Sequence, residues 1–543
     1  WARLATLRAG PDLNGDGQLQ HGPEGVVEVT REIDVYLVRV GTLVVYDDGL
    51  RSNTVAVGTT GTMLVGETNG DALITIGAWI HPGGPAGRAN VLWDVAGGAY
   101  TYWGPTRRDF AGSDPVVTLT PGSEFPAYQV YMGFDQSGDG ILQASEYQAT
   151  MNVYVVKPCI TNLSYSATDD GLFHPVEKDD GTGPYRPGSD WDSSWDWIDR
   201  NADGDADDSN DARYPVAYHL APSTGPTMRL DALFYMQGLP VDFHPPAEFP
   251  LIIKGETMAG YGGYNFYRKW GVDDASDEHD ALWQDAGVGY EFIFCNDADT
   301  PFPRLVDHFN PFSIDWSVSF NDGATWVPAG TTSNQVYILL DDPISPLYHS
   351  VVHLATKGAS GLNTLAPVVD GVWGEFTNRA VVRVNPPSGT VDMMSYSHSA
   401  TGYATAAGGT SGMLARPDGR GQCTAWADLL VMALGVHGIS ATSVRIDPPS
   451  GASNFAVMPM PAQGSGTDDY LEGTLARGGF VFHQVVTASA YSERIYDPSY
   501  GTLTIGSSFS NAKLLYEDTV MTHYLGAGGW YADTKGTPEL SFP

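Results

Sequence analysis

The chain has 543 residues, room at about 150 per domain for three or four units with their own cores, which excludes a small disulfide-stapled module. Its 28 Lys and Arg stand against 64 Asp and Glu, a formal charge of −36, so it lacks the basic patch that a nucleic-acid groove or anionic membrane face needs. Hydrophobic residues reach 42%, and 64 Gly with 36 Pro imply real cores joined by many turns.

Three segments share one pattern, each ahead of a run that reads as a strand, over 26–46, 151–156 and 214–220 in turn. The first carries Asp12, Asn14 and Asp16 with Gly17 at position six. The second carries Asp135, Ser137 and Asp139, the backbone carbonyl of Ile141, and Glu146 at position twelve. The third carries Asp199, Asn201, Asp203 and Asp205. Oxygen ligands at one, three and five with Gly at six are what a Ca²⁺ loop of EF-hand type requires. Asp, Asn and Gly also form ordinary turns, but three repetitions favour structural calcium. No long amphipathic helix flanks these loops, so the ion is expected to stiffen junctions between β-domains.

Between the loops lie period-two runs such as 33–38, 72–76 and 116–119, separated by Gly, Pro and Asp. Such spacing predicts β-sandwiches. The stretch 312–320, the turn Asn321-Asp322-Gly323 and 325–327 read as a hairpin. The expected organisation is a calcium-loop lead segment over 1–25, a β-sandwich over 26–134, a short β segment with acidic calcium-loop linkers over 135–212, a second sandwich over 213–342, and an α+β domain over 343–543. The fold class is thus multidomain, all-β at the N-terminal side and α+β at the C-terminal side. No apolar run approaches the ~18 residues of a membrane span. A start at Trp1 and the calcium loops together predict a secreted or cell-surface protein. Of the three cysteines, any bridge is expected to join Cys159 to Cys295 and spare Cys423.

After Asp342 the periodicity turns helical, with apolar residues three to four apart over 348–357 and 365–377. The decisive run is 421–439. Trp426, Leu429, Leu430, Ala433 and Leu434 share one helical face, and Gly438 suits a left-handed cap. Cys423 therefore starts a helix, where unpaired N–H groups and the dipole stabilise a thiolate. A nucleophilic thiol needs a base and an orienting carboxylate brought from elsewhere in the chain. The run 478–486 reads as a strand presenting His483, and 494–497 as a second strand ending at Asp497 before Pro498. On neighbouring strands the two can hydrogen-bond. The backbone N–H of Cys423 is expected to supply one oxyanion donor, and an upstream side chain such as Trp373 the other.

A Gly-x-Cys at a helix start with a Trp shortly after, a Gly-Val-His-Gly-Ile helix end, a His on one strand and an Asp-Pro ending the next resemble the transglutaminase-like superfamily of papain-type cysteine enzymes. The resemblance covers roughly residues 345–543. It implies Cys423 as nucleophile, His483 as general base and Asp497 as the orienting acid. The expected activity is attack on an amide of a protein or peptide, with the thioester released by water or by an amine. Seven lysines make dense self-cross-linking a poor expectation. The other reading is an extracellular structural or adhesive protein, even a polymer-forming subunit that self-associates, with the C-terminal domain as scaffold.

Overall fold

The computed structural model describes separate strand segments between residues 3 and 134, and then 147–185, 195–199, 212–237, 251–257, 263–269, 282–285, 290–320, 326–384, 392–397, 409–448, 450–464 and 478–532, with a few isolated positions. The described residues are mostly strand, with helices concentrated after residue 348.

In the first part, Arg3–Ala9 pairs antiparallel with Arg31–Tyr36. Thr54–Gly58, Arg39–Tyr46, Ile74–His81 and Val116–Leu119 form a four-stranded antiparallel sheet. The strand expected over 151–156 does not stop there. It runs from Tyr147 to Ala167 and serves two neighbourhoods. Its first half pairs with Ala127–Phe134 and, in parallel, with Gly61–Gly66. Its second half pairs with Met228–Gln237, after a register shift between Ile160 and Asn162. One strand thus passes from one sheet neighbourhood into the next, because its alternation continues through residues a turn-seeking reading takes as a boundary.

The second half of that strand, with Met228–Gln237, Tyr290–Asp297 and Leu282–Asp285, forms one wall of a sandwich. The other wall is a six-stranded sheet in the order Phe173–Pro175, Val216–His219, Val327–Leu339, Asp307–Ser319, Ile252–Thr257, Asn265–Lys269. Tyr165, Phe234, Phe266, Phe294 and Trp316 fill the space between. The Trp316 indole meets Phe234 edge-on at 5.6 Å and donates to Thr332 Oγ1 at 3.0 Å, so its one polar atom is satisfied in the core. The expected hairpin is present and longer than the sequence suggests: Asp307–Ser319 and Val327–Leu339 pair antiparallel across a turn in which Gly323 has φ 82°.

Where Val216–His219 pairs with the end of Val327–Leu339, the six-stranded sheet is buried on both faces. Val216, Tyr218, Val336 and Ile338 belong to the sandwich core, whereas the alternating Ala217, Tyr337 and Leu339 belong to the core of the helical part. Period-two alternation therefore makes one sheet the wall of two compartments. On its far side packs α1 (His349–Ala359), and on α1 in turn α2 (Leu365–Thr377), both where helical periodicity is read from the sequence; α3 (Gly409–Ala415), α4 (Cys423–Gly435) and α5 (Phe509–Val520) follow in the helical unit. A four-stranded antiparallel sheet, Ala441–Ile446, His483–Ala488, Tyr491–Asp497, Thr502–Ile505, completes the unit.

The expected Cys159–Cys295 bridge is not compatible with the register. Cys159 lies opposite Tyr235 and Cys295 opposite Asp231, on the two strands that flank Met228–Gln237. Two strand spacings of about 4.8 Å and four residues of about 3.4 Å separate them, far beyond the ~7 Å Cα limit of a disulfide.

Candidate active site

The helix α4 is built of Ala, Leu, Met and Trp, strong formers or good core residues, and its Trp426, Leu429, Leu430, Ala433 and Leu434 are buried. Gly438 ends it at φ 72°, and the Ile439 N–H returns to Leu434 O at 3.1 Å, the left-handed cap read from the sequence. At the other end, Gly421 packs closely on α3: a Cβ there would run into the Met413 thioether, which would have to move. Gln422 is the N-cap in extended conformation, and no side chain caps the helix, so Cys423 stands in the uncapped first turn with 5% exposure.

The helix packs on the strand that begins with His483, whose neighbour in the sheet ends with Asp497. Both side chains are fully buried, and His483 Nε2 meets Asp497 Oδ2 at 3.0 Å. The carboxylate is itself held: the Tyr516 hydroxyl of α5 donates to Oδ2 at 2.7 Å and the Ser499 N–H to Oδ1 at 3.2 Å. Phe480 stacks on the imidazole at 4.8 Å. Burial by itself lowers the proton affinity of His483, but the charge and hydrogen bond of Asp497, and then Cys423, more than offset it and raise the pKa above its ordinary value. The second ring nitrogen, Nδ1, is buried without a formed hydrogen bond, and the Cys423 thiol acts on the same ring. The structure therefore brings Cys423, His483 and Asp497 together from a helix start and two strand ends.

Phenols surround the three residues. Burial first, and then Tyr500, Cys423 and Asp497, push Tyr396 well above the usual tyrosine value; Tyr500 and Tyr516 are raised by burial, with Asp497 next. All three stay protonated. A cavity of about 160 Å³ opens beside the thiol, lined by Tyr396, Gln422, Cys423 and residues 479–482. Trp373, expected as an oxyanion donor, does not line it. Its ring stacks on Phe376 and meets Tyr496 edge-on at 5.1 Å, so it is a core residue. Tyr396, Tyr500 and Tyr516 were not legible, because a phenol in an apolar run carries no mark separating it from an ordinary core tyrosine.

The calcium loops fall almost wholly outside the described residues: Asp12, Asn14 and Asp16; Asp135, Ser137, Asp139, Ile141 and Glu146; and Asn201, Asp203 and Asp205. Asp199 is described. It is buried, with its N–H on Thr161 O at 2.8 Å, directly after the strand Trp197–Ile198.

No family model and no curated protein matches the chain. Among solved structures, it is weakly similar to the D0–D1 domain of intimin (13% identity, TM-score 0.14, 51% of this chain and 94% of that one). It is also weakly similar to red sea bream transglutaminase (13%, TM-score 0.22, 50% of this chain and 48% of that one). A third likeness is to the collagen adhesin CNA from S. aureus (7%, TM-score 0.11, 55% and 92%). Likenesses of this size carry no argument about what the chain does. No helix among the described residues is long and apolar enough to cross a membrane.

Proposed function

We propose that the C-terminal unit is a cysteine enzyme of transglutaminase-like type that attacks amide carbonyls of a protein or peptide. The observation that carries this reading is the buried His483–Asp497 pair at 3.0 Å, set against a thiol in the uncapped first turn of α4 beside an open cavity. In the proposed reaction His483 takes the Cys423 thiol proton, the sulfur bonds to the carbonyl carbon as the C=O π pair moves onto oxygen, and that oxyanion accepts a hydrogen bond from the Cys423 backbone N–H. The C–N bond then breaks as His483 gives its proton to the leaving amine, which leaves a thioester. His483 next removes a proton from water or from an acceptor amine, and attack on the thioester returns the thiol. Asp497, fixed by Tyr516 and Ser499, holds the imidazole with one nitrogen toward the thiol. In this reading the protein is secreted or held at a cell surface, and Ca²⁺ in the three loops braces the strand-built region.

The length of that region favours a second reading, an extracellular adhesive or structural protein with self-association through its sheets. The two separate on one experiment. Intact-protein mass spectrometry after mixing with a glutamine-containing peptide reveals a thioester on Cys423 under the first reading, lost to water or to an added primary amine. Under the second, no adduct forms and iodoacetamide modifies Cys423 no faster than free cysteine.

A further inference from the structure

Away from the thiol, two imidazoles and a carboxylate converge at the edge of the six-stranded sheet. Phe173–Pro175 pairs antiparallel with Val216–His219 so that His174 lies opposite Ala217. His219, two residues further on, then stands on the same face as a diagonal neighbour within reach of His174. Val216–His219 pairs in parallel with Val327–Leu339, His219 against Leu339, and the chain leaving that strand turns at Asp341 and Asp342. Register alone thus collects the three side chains.

His174 Nε2 lies 2.8 Å from His219 Nδ1 and 3.7 Å from Asp342 Oδ1, and the three ligand atoms are all within 4.8 Å of one another. Nε2 can donate only one proton, so it cannot serve both neighbours as a simple hydrogen bond. An ion among them satisfies all three. Donors around a tetrahedral ion with bonds of ~2.0–2.1 Å stand roughly 3.3 Å apart, a spacing that the two shorter separations bracket.

We propose that His174, His219 and Asp342 form a binding site for a divalent transition-metal ion of the zinc class. Two nitrogens and one oxygen suit Zn²⁺ and disfavour Ca²⁺, which takes oxygen ligands, so the site is chemically distinct from the calcium loops. The ion ties the sandwich edge to the linker that enters the helical unit. That linker also touches the distal end of α4: a Cβ on Gly438 would lie 2.9 Å from both Asp341 Cβ and Asp342 O. The metal thus braces the helix whose other end carries Cys423. The proposal does not depend on the thiol being catalytic.

The full chain is first freed of transition metals by a chelator and returned to Ca²⁺-containing buffer, then titrated with Co²⁺. One equivalent is expected to give the visible d–d bands of a four-coordinate site and to be displaced by Zn²⁺. His174→Gln and His219→Gln each weaken binding by more than about 100-fold, since even outer-shell losses cost 10–100-fold. His308→Gln, at a half-buried histidine outside the cluster, leaves it unchanged. Should the variants fold poorly, the wild-type chain decides: Zn²⁺ protects His174 from diethyl pyrocarbonate, read by peptide mass spectrometry. A wild-type chain that gives no d–d bands, equal modification with and without Zn²⁺, or full binding in well-folded variants overturns the site.

Discussion

Two regions bury histidines to the same depth and give them opposite character. His483 is fully buried against Asp497 and its pKa is raised. His349, buried in α1, is bonded to neutral partners, Gln335 Oε1 at 2.5 Å and the Tyr185 hydroxyl at 3.3 Å, and burial, then His353 and His308, push it down to about 3. His353 is lowered by the same first cause to about 4, and its Nδ1 meets the Tyr337 hydroxyl at 3.4 Å. Desolvation disfavours the imidazolium in both places, and one carboxylate in contact reverses the sign. Only the first region can hold a proton ready for transfer at neutral pH.

The sharpest break of this contrast is His483→Ala. Loss of a positioned acid–base group costs roughly 10²–10⁴-fold in rate. Iodoacetamide labelling of Cys423 at pH 6, expected to be fast in the wild type, should fall by that order, and an unchanged rate removes the ion-pair explanation.

Asp497→Asn turns the first region into a copy of the second. Breaking a buried pair costs about 3–5 kcal/mol, and His483 should then resemble His349. In the wild type the raised pKa gives stability fully present below about 6.5, the unfolded value, and lost as pH rises through the folded value. In the variant the folded pKa lies below 6.5, so that contribution is present above 6.5 and lost as pH falls. Chemical denaturation between pH 5 and 9 should show the slope change sign; parallel curves would mean that Asp497 does not set the charge of His483.

These two substitutions also show what the sequence made legible. The start of α4, its Gly438 end and the strand positions of His483 and Asp497 follow from local periodicity and turn chemistry, which act within a few residues. Tyr516, His219 and Asp342 join their sites through sheet register and helix packing, which no local window contains. For the same reason the local pattern predicts a strand ending at Val156 where the structure continues to Ala167, since that continuation is fixed by the partner Met228–Gln237.

The second region has its own test. Because His349 has a folded pKa below the unfolded one, its stability contribution is complete above about 6.5 and lost as pH falls, with a slope approaching 1.4 kcal/mol per pH unit. His349→Gln keeps a polar partner near Gln335 and Tyr185 but removes the titration. The pH dependence of stability between 6.5 and 4 should flatten relative to wild type, with the labelling of Cys423 unchanged.

A smaller effect is expected from calcium, whose loops belong to the strand-built part and not to either histidine region. Bound only by the native state at 100 times its dissociation constant, Ca²⁺ adds about 2.7 kcal/mol per site. Melting temperatures should rise from EDTA to millimolar Ca²⁺, with Asp139→Ala losing most, because its loop has the fullest ligand set. Overlaid melts in the two buffers exclude the ion. A change in Cys423 labelling would show that the loops reach the reactive centre.

The smallest change in stability is expected at the thiol on which the proposed chemistry rests. Cys423 occupies the first turn of α4, 5% exposed, and alanine is a better helix former of slightly smaller volume. Cys423→Ala therefore removes one sulfur and leaves the turn, the cap at Gly438 and the His483–Asp497 bond in place, at a cost within about 1 kcal/mol. It does remove one of the influences that raise His483, so the loss of stability above pH 6.5 should be smaller and complete at a lower pH than in wild type, while Asp497 still keeps the pKa above its ordinary value. A variant whose loss above pH 6.5 is smaller and levels off at a lower pH than in wild type assigns the thiol to the electrostatics of the site. A loss above about 3 kcal/mol, in the range of a core truncation, assigns it to packing and ends the contrast between a poised histidine and a silent one.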